Sequence, residues 1–106
     1  MKMQEASALY TEIVEICKRL EIPSDFFRET HDYRNDESLS GSGTALMTVA
    51  TSVMVYLTEF MGNPERVFEV WLFKDNDPTL FGRYTNLTEA FLEFYRVHLK
   101  ILLGLY

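Results

Sequence analysis

The stretch from Leu87 to Leu105 is the strongest constraint on this chain, because its charged residues occupy a strip too narrow for a helix that covers one core. Glu89, Glu93, Arg96 and Lys100 follow one another at spacings of four, three and four, which at ~100° per residue gathers them on one edge of a helix. From Ala90 onward the other positions are apolar or aromatic apart from His98. They are Ala90, Phe91, Leu92, Phe94, Tyr95, Val97, Leu99, Ile101, Leu102 and Leu103. The arc they form is roughly 220° wide, about twice the stripe a surface helix needs. Such a helix has two things to pack against, and in a chain of 106 residues one of them is expected to be a partner.

A chain of this length fits a single domain over residues 1–106 with a modest core. A hydrophobic fraction of 47%, with 14% aromatics, excludes disorder, since disordered chains lack the apolar surface to offset ordering entropy. The net charge of −6, with only ten basic residues scattered along the chain, argues against nucleic-acid binding, which needs clustered Lys and Arg to neutralise phosphates. Cys17 is the only cysteine, so a disulfide scaffold is excluded and a reducing compartment is expected. The first ten residues, MKMQEASALY, lack the apolar run of a signal peptide, which makes a cytoplasmic location the expectation. Ser38 to Thr58 carries no charge, but it opens with small polar residues and is interrupted by threonines, leaving too little apolar length for a membrane span.

Helix periodicity begins with Leu9, Tyr10, Ile13, Val14, Cys17 and Leu20, and Ile22-Pro23 ends it. Ser24 is placed to cap a short second helix over SDFFRETHDY. Arg34 to Gly43, RNDESLSGSG, has the composition of a flexible loop or linker. Thr44 to Phe60 fits both periods, and its density of Val and Thr favours a strand; a helix there would turn the protein into an all-α bundle. Met61 to Arg66 reads as a turn, Val67 to Phe73 as a second strand, Asp75 to Thr79 as another turn, and LFGRYT as a third strand. Asn86, with Glu89 three residues on, has the spacing of a capping box for the last helix. The expected fold is therefore α+β, with two N-terminal helices, a three-stranded antiparallel meander and a long C-terminal helix packed on it. That order is similar to that of double-stranded-RNA-binding domains, which meet phosphates with a basic start to the last helix. Here that start is Asn86-Leu87-Thr88-Glu89, so RNA binding is rejected.

No motif in the chain carries recognisable chemistry. His98, on the apolar side of the last helix, reads as a partly buried imidazole with one ring nitrogen bonded to a carbonyl. His31-Asp32 lacks the rest of any metal site. Cys17 falls on the inner face of the first helix, where a thiol is inert. Ser40 and Ser42 lack the strand-to-helix setting of a nucleophile elbow. Metal and cofactor sites are therefore not expected, nor is enzymatic activity.

What remains is binding. Trp71 and Phe73 alternate with Phe68, Val70 and Leu72, so both faces of the middle strand read as apolar and only one can meet the helices. Together with the last helix this suggests an apolar interface through Trp71, Phe73, Phe94, Tyr95, Leu99 and Leu102, because soluble monomers rarely expose large apolar patches. A homodimer is the expected partnership, and the class is an adaptor, inhibitor, immunity-type or chaperone-like module. A second surface, the acidic run with Asp25, Glu29, Asp32, Asp36 and Glu37, would suit a basic partner or the nucleic-acid site of an enzyme. A third reading is a small-molecule pocket between sheet and last helix, with Tyr84, Tyr95 and His98 as polar contacts.

Overall fold

The computed structural model describes residues 8–30, 45–48, 53–59, 66–75 and 77–105. Within them the chain runs α1 (Ala8–Leu20), β1 (Phe27–Thr30), β2 (Ala45–Thr48), β3 (Met54–Glu59), β4 (Phe68–Lys74), β5 (Asp77–Tyr84) and α2 (Leu87–Leu102). The fold is α+β: an antiparallel meander with the long C-terminal helix packed on it. The expected loop at 34–43 and most of the turn at 61–66 lie outside the described residues.

The first helix buries Leu9, Ile13, Ile16 and Cys17 and stops one turn before Pro23. Glu21 adopts a left-handed φ of 58°, and the Ile22 N–H donates to the Cys17 carbonyl at 2.9 Å. This is the Schellman arrangement, which satisfies a terminal carbonyl and turns the chain back. The half-buried Ile22 then packs on the core.

Among the described residues the expected second helix does not form, and part of its sequence forms β1. Its residues pair antiparallel with β2, Phe27 opposite Thr48 and Glu29 opposite Leu46. Phe27 needs one face of a strand to reach the core, where it is 4% exposed, and a pairing partner was not visible in a local reading of SDFFRET. Within Thr44 to Phe60 the described residues 45–48 and 54–59 are extended, as its β-branched residues favour, and they form two strands rather than one. Leu46 of β2 lies opposite Leu57 of β3, and the Thr48 hydroxyl accepts from the Val55 N–H at 3.1 Å. The sheet thus has five strands in the order β1-β2-β3-β4-β5, in which β3 to β5 form the expected three-stranded meander and β1 and β2 extend it.

Alternation sorts the sheet into two faces. Phe27, Leu46, Val55, Leu57, Phe68, Val70 and Leu72 share one face and one core with the buried residues of α1 and α2. Tyr56, Glu69, Trp71 and Phe73 occupy the other. Between β4 and β5 the register slips: Trp71 lies opposite Leu80, but Val70 lies opposite Gly82. Phe81 is the extra residue of this β-bulge, and it packs against the helix-side core. A side chain at Gly82 would displace the Tyr84 ring, since a Cβ there would stand 2.5 Å from the Tyr84 hydroxyl.

The second helix starts as its sequence suggests, with the Asn86 side chain accepting from the Glu89 N–H at 3.0 Å. It ends in a second Schellman turn: Gly104 has φ 78° and the Leu105 N–H donates to the Lys100 carbonyl at 3.0 Å. Its inner face carries Ala90, Phe91, Phe94, Val97 and His98. Phe26, just before β1, stacks on this face, with ring centroids 5.7 Å from Phe94 and 4.5 Å from His98. A charged clasp joins the first helix to the sheet. The Arg66 Nε donates to Glu59 at 2.8 Å and its Nη1 to Glu12 of α1 at 2.9 Å, while its guanidinium carbon lies 5.1 Å from the centre of the Phe68 ring.

Candidate functional site

Most of the exposed large apolar side chains among the described residues lie on the outer side of α2 or just beyond its end, with Leu20 and Leu80 elsewhere. Leu92 and Leu99 are 43% and 40% exposed, and Leu102, Leu103 and Leu105 are 64%, 74% and 63% exposed. On a helical wheel Leu92, Leu99 and Leu103 lie diametrically opposite the core-facing Phe94. Leu102 and the half-buried Tyr95 sit between that outer stripe and the core. Of the six apolar residues expected at an interface, Leu99 and Leu102 are thus exposed on one helix face, with Tyr95 at its margin. Phe94 is fully buried between α2 and the sheet, so it belongs to the core and has nothing to offer a partner. Leu92 and Leu103 complete the stripe; the wide apolar arc already contained them, but only a known core direction separates inner from outer leucines.

Trp71 and Phe73 lie on the sheet face away from the helices, and this face is less apolar than the alternation suggested. Both are half-buried and form a small cluster with Tyr56, whose ring centroid is 5.3 Å from that of Phe73. Beside them Glu69 is completely buried. Its Oε1 accepts from the Trp71 indole N–H at 3.0 Å, and its Oε2 from Arg83 Nε at 2.8 Å. The Arg83 Nη2 is also 2.7 Å from Oε2, so one guanidinium and one indole satisfy both oxygens of the carboxylate. The expectation of two apolar faces on β4 is corrected by this pair. Opposite Glu69, the buried Thr58 hydroxyl has no hydrogen-bond partner.

The acidic run is not assembled into one surface by the described residues. Asp25 is exposed ahead of β1 and Glu29 is half-buried within it; Asp32, Asp36 and Glu37 lie outside the described residues, as do His31, Ser40 and Ser42. A shallow depression of about 360 Å³ opens elsewhere, between Glu12, Glu15 and Arg19 of α1 and Asn86 to Thr88 at the start of α2. Tyr84 covers Gly82 on β5, and burial, with Glu93 nearby, holds its phenol above the ordinary tyrosine range. Burial likewise raises the Cys17 thiol, which keeps it protonated and unreactive at neutral pH.

The His98 Nδ1 is buried with no hydrogen-bond partner, so the expected bond from a ring nitrogen to a carbonyl is not made at that atom. Burial among apolar neighbours lowers its basicity below the ordinary histidine value of 6.5. The folded protein therefore resists a proton that the unfolded chain accepts. Stability is unaffected well above pH 6.5 and falls as the pH drops below it, until the folded-state value is passed. Chemical denaturation at pH 7.5 and 5.5 is expected to show that loss in the native sequence and a smaller one in His98→Phe; an equal loss in both would mean that other groups carry the pH dependence.

Among the described residues no group of three His, Cys, Asp or Glu is placed to hold a metal ion, and no helix is long and apolar enough to cross a membrane. Comparison of the chain with protein-family models, curated proteins and solved structures finds no match.

Proposed function

We propose that this chain is a non-enzymatic protein-binding module whose docking surface is the outer face of α2, and that its first partner is a second copy of itself. The observation that carries this reading is the run of exposed leucines on a helix whose inner face is already filled. Leu92, Leu99, Leu102 and Leu103 lie on α2 or its last turn, and clustered exposed apolar side chains of this kind mark interaction surfaces. The Trp71 cluster is the lesser candidate, because its aromatics are half-buried and Glu69 and Arg83 interrupt it. A cytoplasmic setting goes with this reading, in which the buried Cys17 stays a free thiol.

Light scattering on the purified chain, coupled to size-exclusion chromatography at low and high salt, tests the reading. The expected result is a mass that rises from the 12.4 kDa of one copy towards twice that value with increasing concentration. A constant single-copy mass up to several hundred micromolar would remove self-association.

A further inference from the structure

The four charges on α2 are arranged in an order that selects one way of pairing two helices. Glu89, Glu93, Arg96 and Lys100 share the edge beside the exposed leucine stripe, and along the chain they read acid, acid, base, base. When two identical helices meet about a two-fold axis perpendicular to them, each edge faces the same edge of its copy in reverse order. Reversal sets the two acids against the two bases. In a parallel two-fold pairing the charged edges lie on opposite sides of the seam and do not meet.

We infer that two copies of the chain associate through an antiparallel α2–α2 contact, its two-fold axis passing close to Tyr95. That register places Glu89 opposite Lys100 of the second copy and Glu93 opposite its Arg96, each pair occurring twice. It also brings the Leu92 and Leu99 stripe of one copy against the same stripe of the other. Arg96, which contacts Glu93 within its own helix, is 62% exposed on this edge, whereas the Glu93 side chain is 13% exposed. The helix has 16 residues, a length of about 24 Å, so the interface sits at the small end of specific contacts and exchanges with monomer at micromolar concentrations.

This inference rests on the proposed self-association, and charge reversal on the intact chain separates the two. Glu89→Lys with Glu93→Lys makes the edge wholly basic, and Arg96→Glu with Lys100→Glu makes it wholly acidic. Each variant alone is expected to associate at least ~10-fold more weakly than the native chain, each tenfold step being ~1.4 kcal/mol. An equimolar mixture of the two is expected to recover the dimer mass. Leu99→Arg is expected to give a monomer with unchanged circular dichroism, since Leu99 does not contribute to the core. A dimer that survives both Leu99→Arg and the charge reversals would overturn the α2 contact while leaving self-association standing. A native chain that never dimerises would overturn both.

Discussion

Arg83→Ala is expected to lower the unfolding free energy by roughly 3 kcal/mol, the lower end of what breaking a buried ion pair costs. Glu69 is completely buried, and the guanidinium of Arg83 is its only charged partner among the described residues. Without it the carboxylate keeps one hydrogen bond, from Trp71, and is left buried without its ionic partner. The lower end applies because the Arg83 side chain is 56% exposed, so water is at hand to replace part of what is lost. Replacing both members, Glu69→Leu with Arg83→Leu, removes the stranded charge along with its partner and is expected to cost less than Arg83→Ala alone. Urea denaturation of the three proteins measures the difference. A loss below about 0.5 kcal/mol for Arg83→Ala, the size of an ordinary surface change, would mean that the carboxylate is hydrated.

Phe94→Ala carries the other large effect, expected at about 3–5 kcal/mol in a protein whose total stability is of order 5–15 kcal/mol. Phe94 is fully buried, within 6.0 Å of Phe27 and 5.7 Å of Phe26 between ring centres. Its truncation removes the ring around which α2 and the first strand meet. Leu102→Ala, two turns further along the same helix and 64% exposed, is expected to change monomer stability by no more than about 0.5 kcal/mol. Thermal melts at concentrations low enough to keep the chain monomeric give both values. Similar losses in the two variants would mean that the inner and outer faces of α2 have been exchanged.

Much of this organisation was legible where a single period governed a segment. The two long helices follow from their spacing, and Asn86 and Glu89 mark where the second begins. The excess of apolar residues on α2 was readable too, but which leucines faced outward was not, because an arc that wide does not reveal its own core direction. Phe94 illustrates the loss: periodicity puts it among the apolar residues, and only the sheet beneath it makes it internal. Phe27 failed for the opposite reason. Four residues with phenylalanine, charge and threonine carry no strand signal strong enough to outweigh a good helix cap at Ser24, and their conformation is decided by β2, a partner remote in sequence. The Glu69–Arg83 pair was hidden because VFEVWLF reads as apolar on both faces, and because alternation along β5 assigns Arg83 to the wrong side.

That last displacement depends on one residue. Counting from Leu80, which lies opposite Trp71, strict alternation would turn Arg83 toward the helices and drive its guanidinium into the core. Phe81 resets the count at the bulge, so that Arg83 arrives opposite Glu69 and Tyr84 opposite Phe68. The strand therefore depends on its length as well as on the identities of its residues. Losing or gaining one residue between Leu80 and Arg83 would invert every side chain after it, whereas a change of two would keep each on its own side. In a lineage of such proteins the length of this short stretch would be held as firmly as the identities of Gly82 and Arg83, a constraint imposed by the pleat of a sheet.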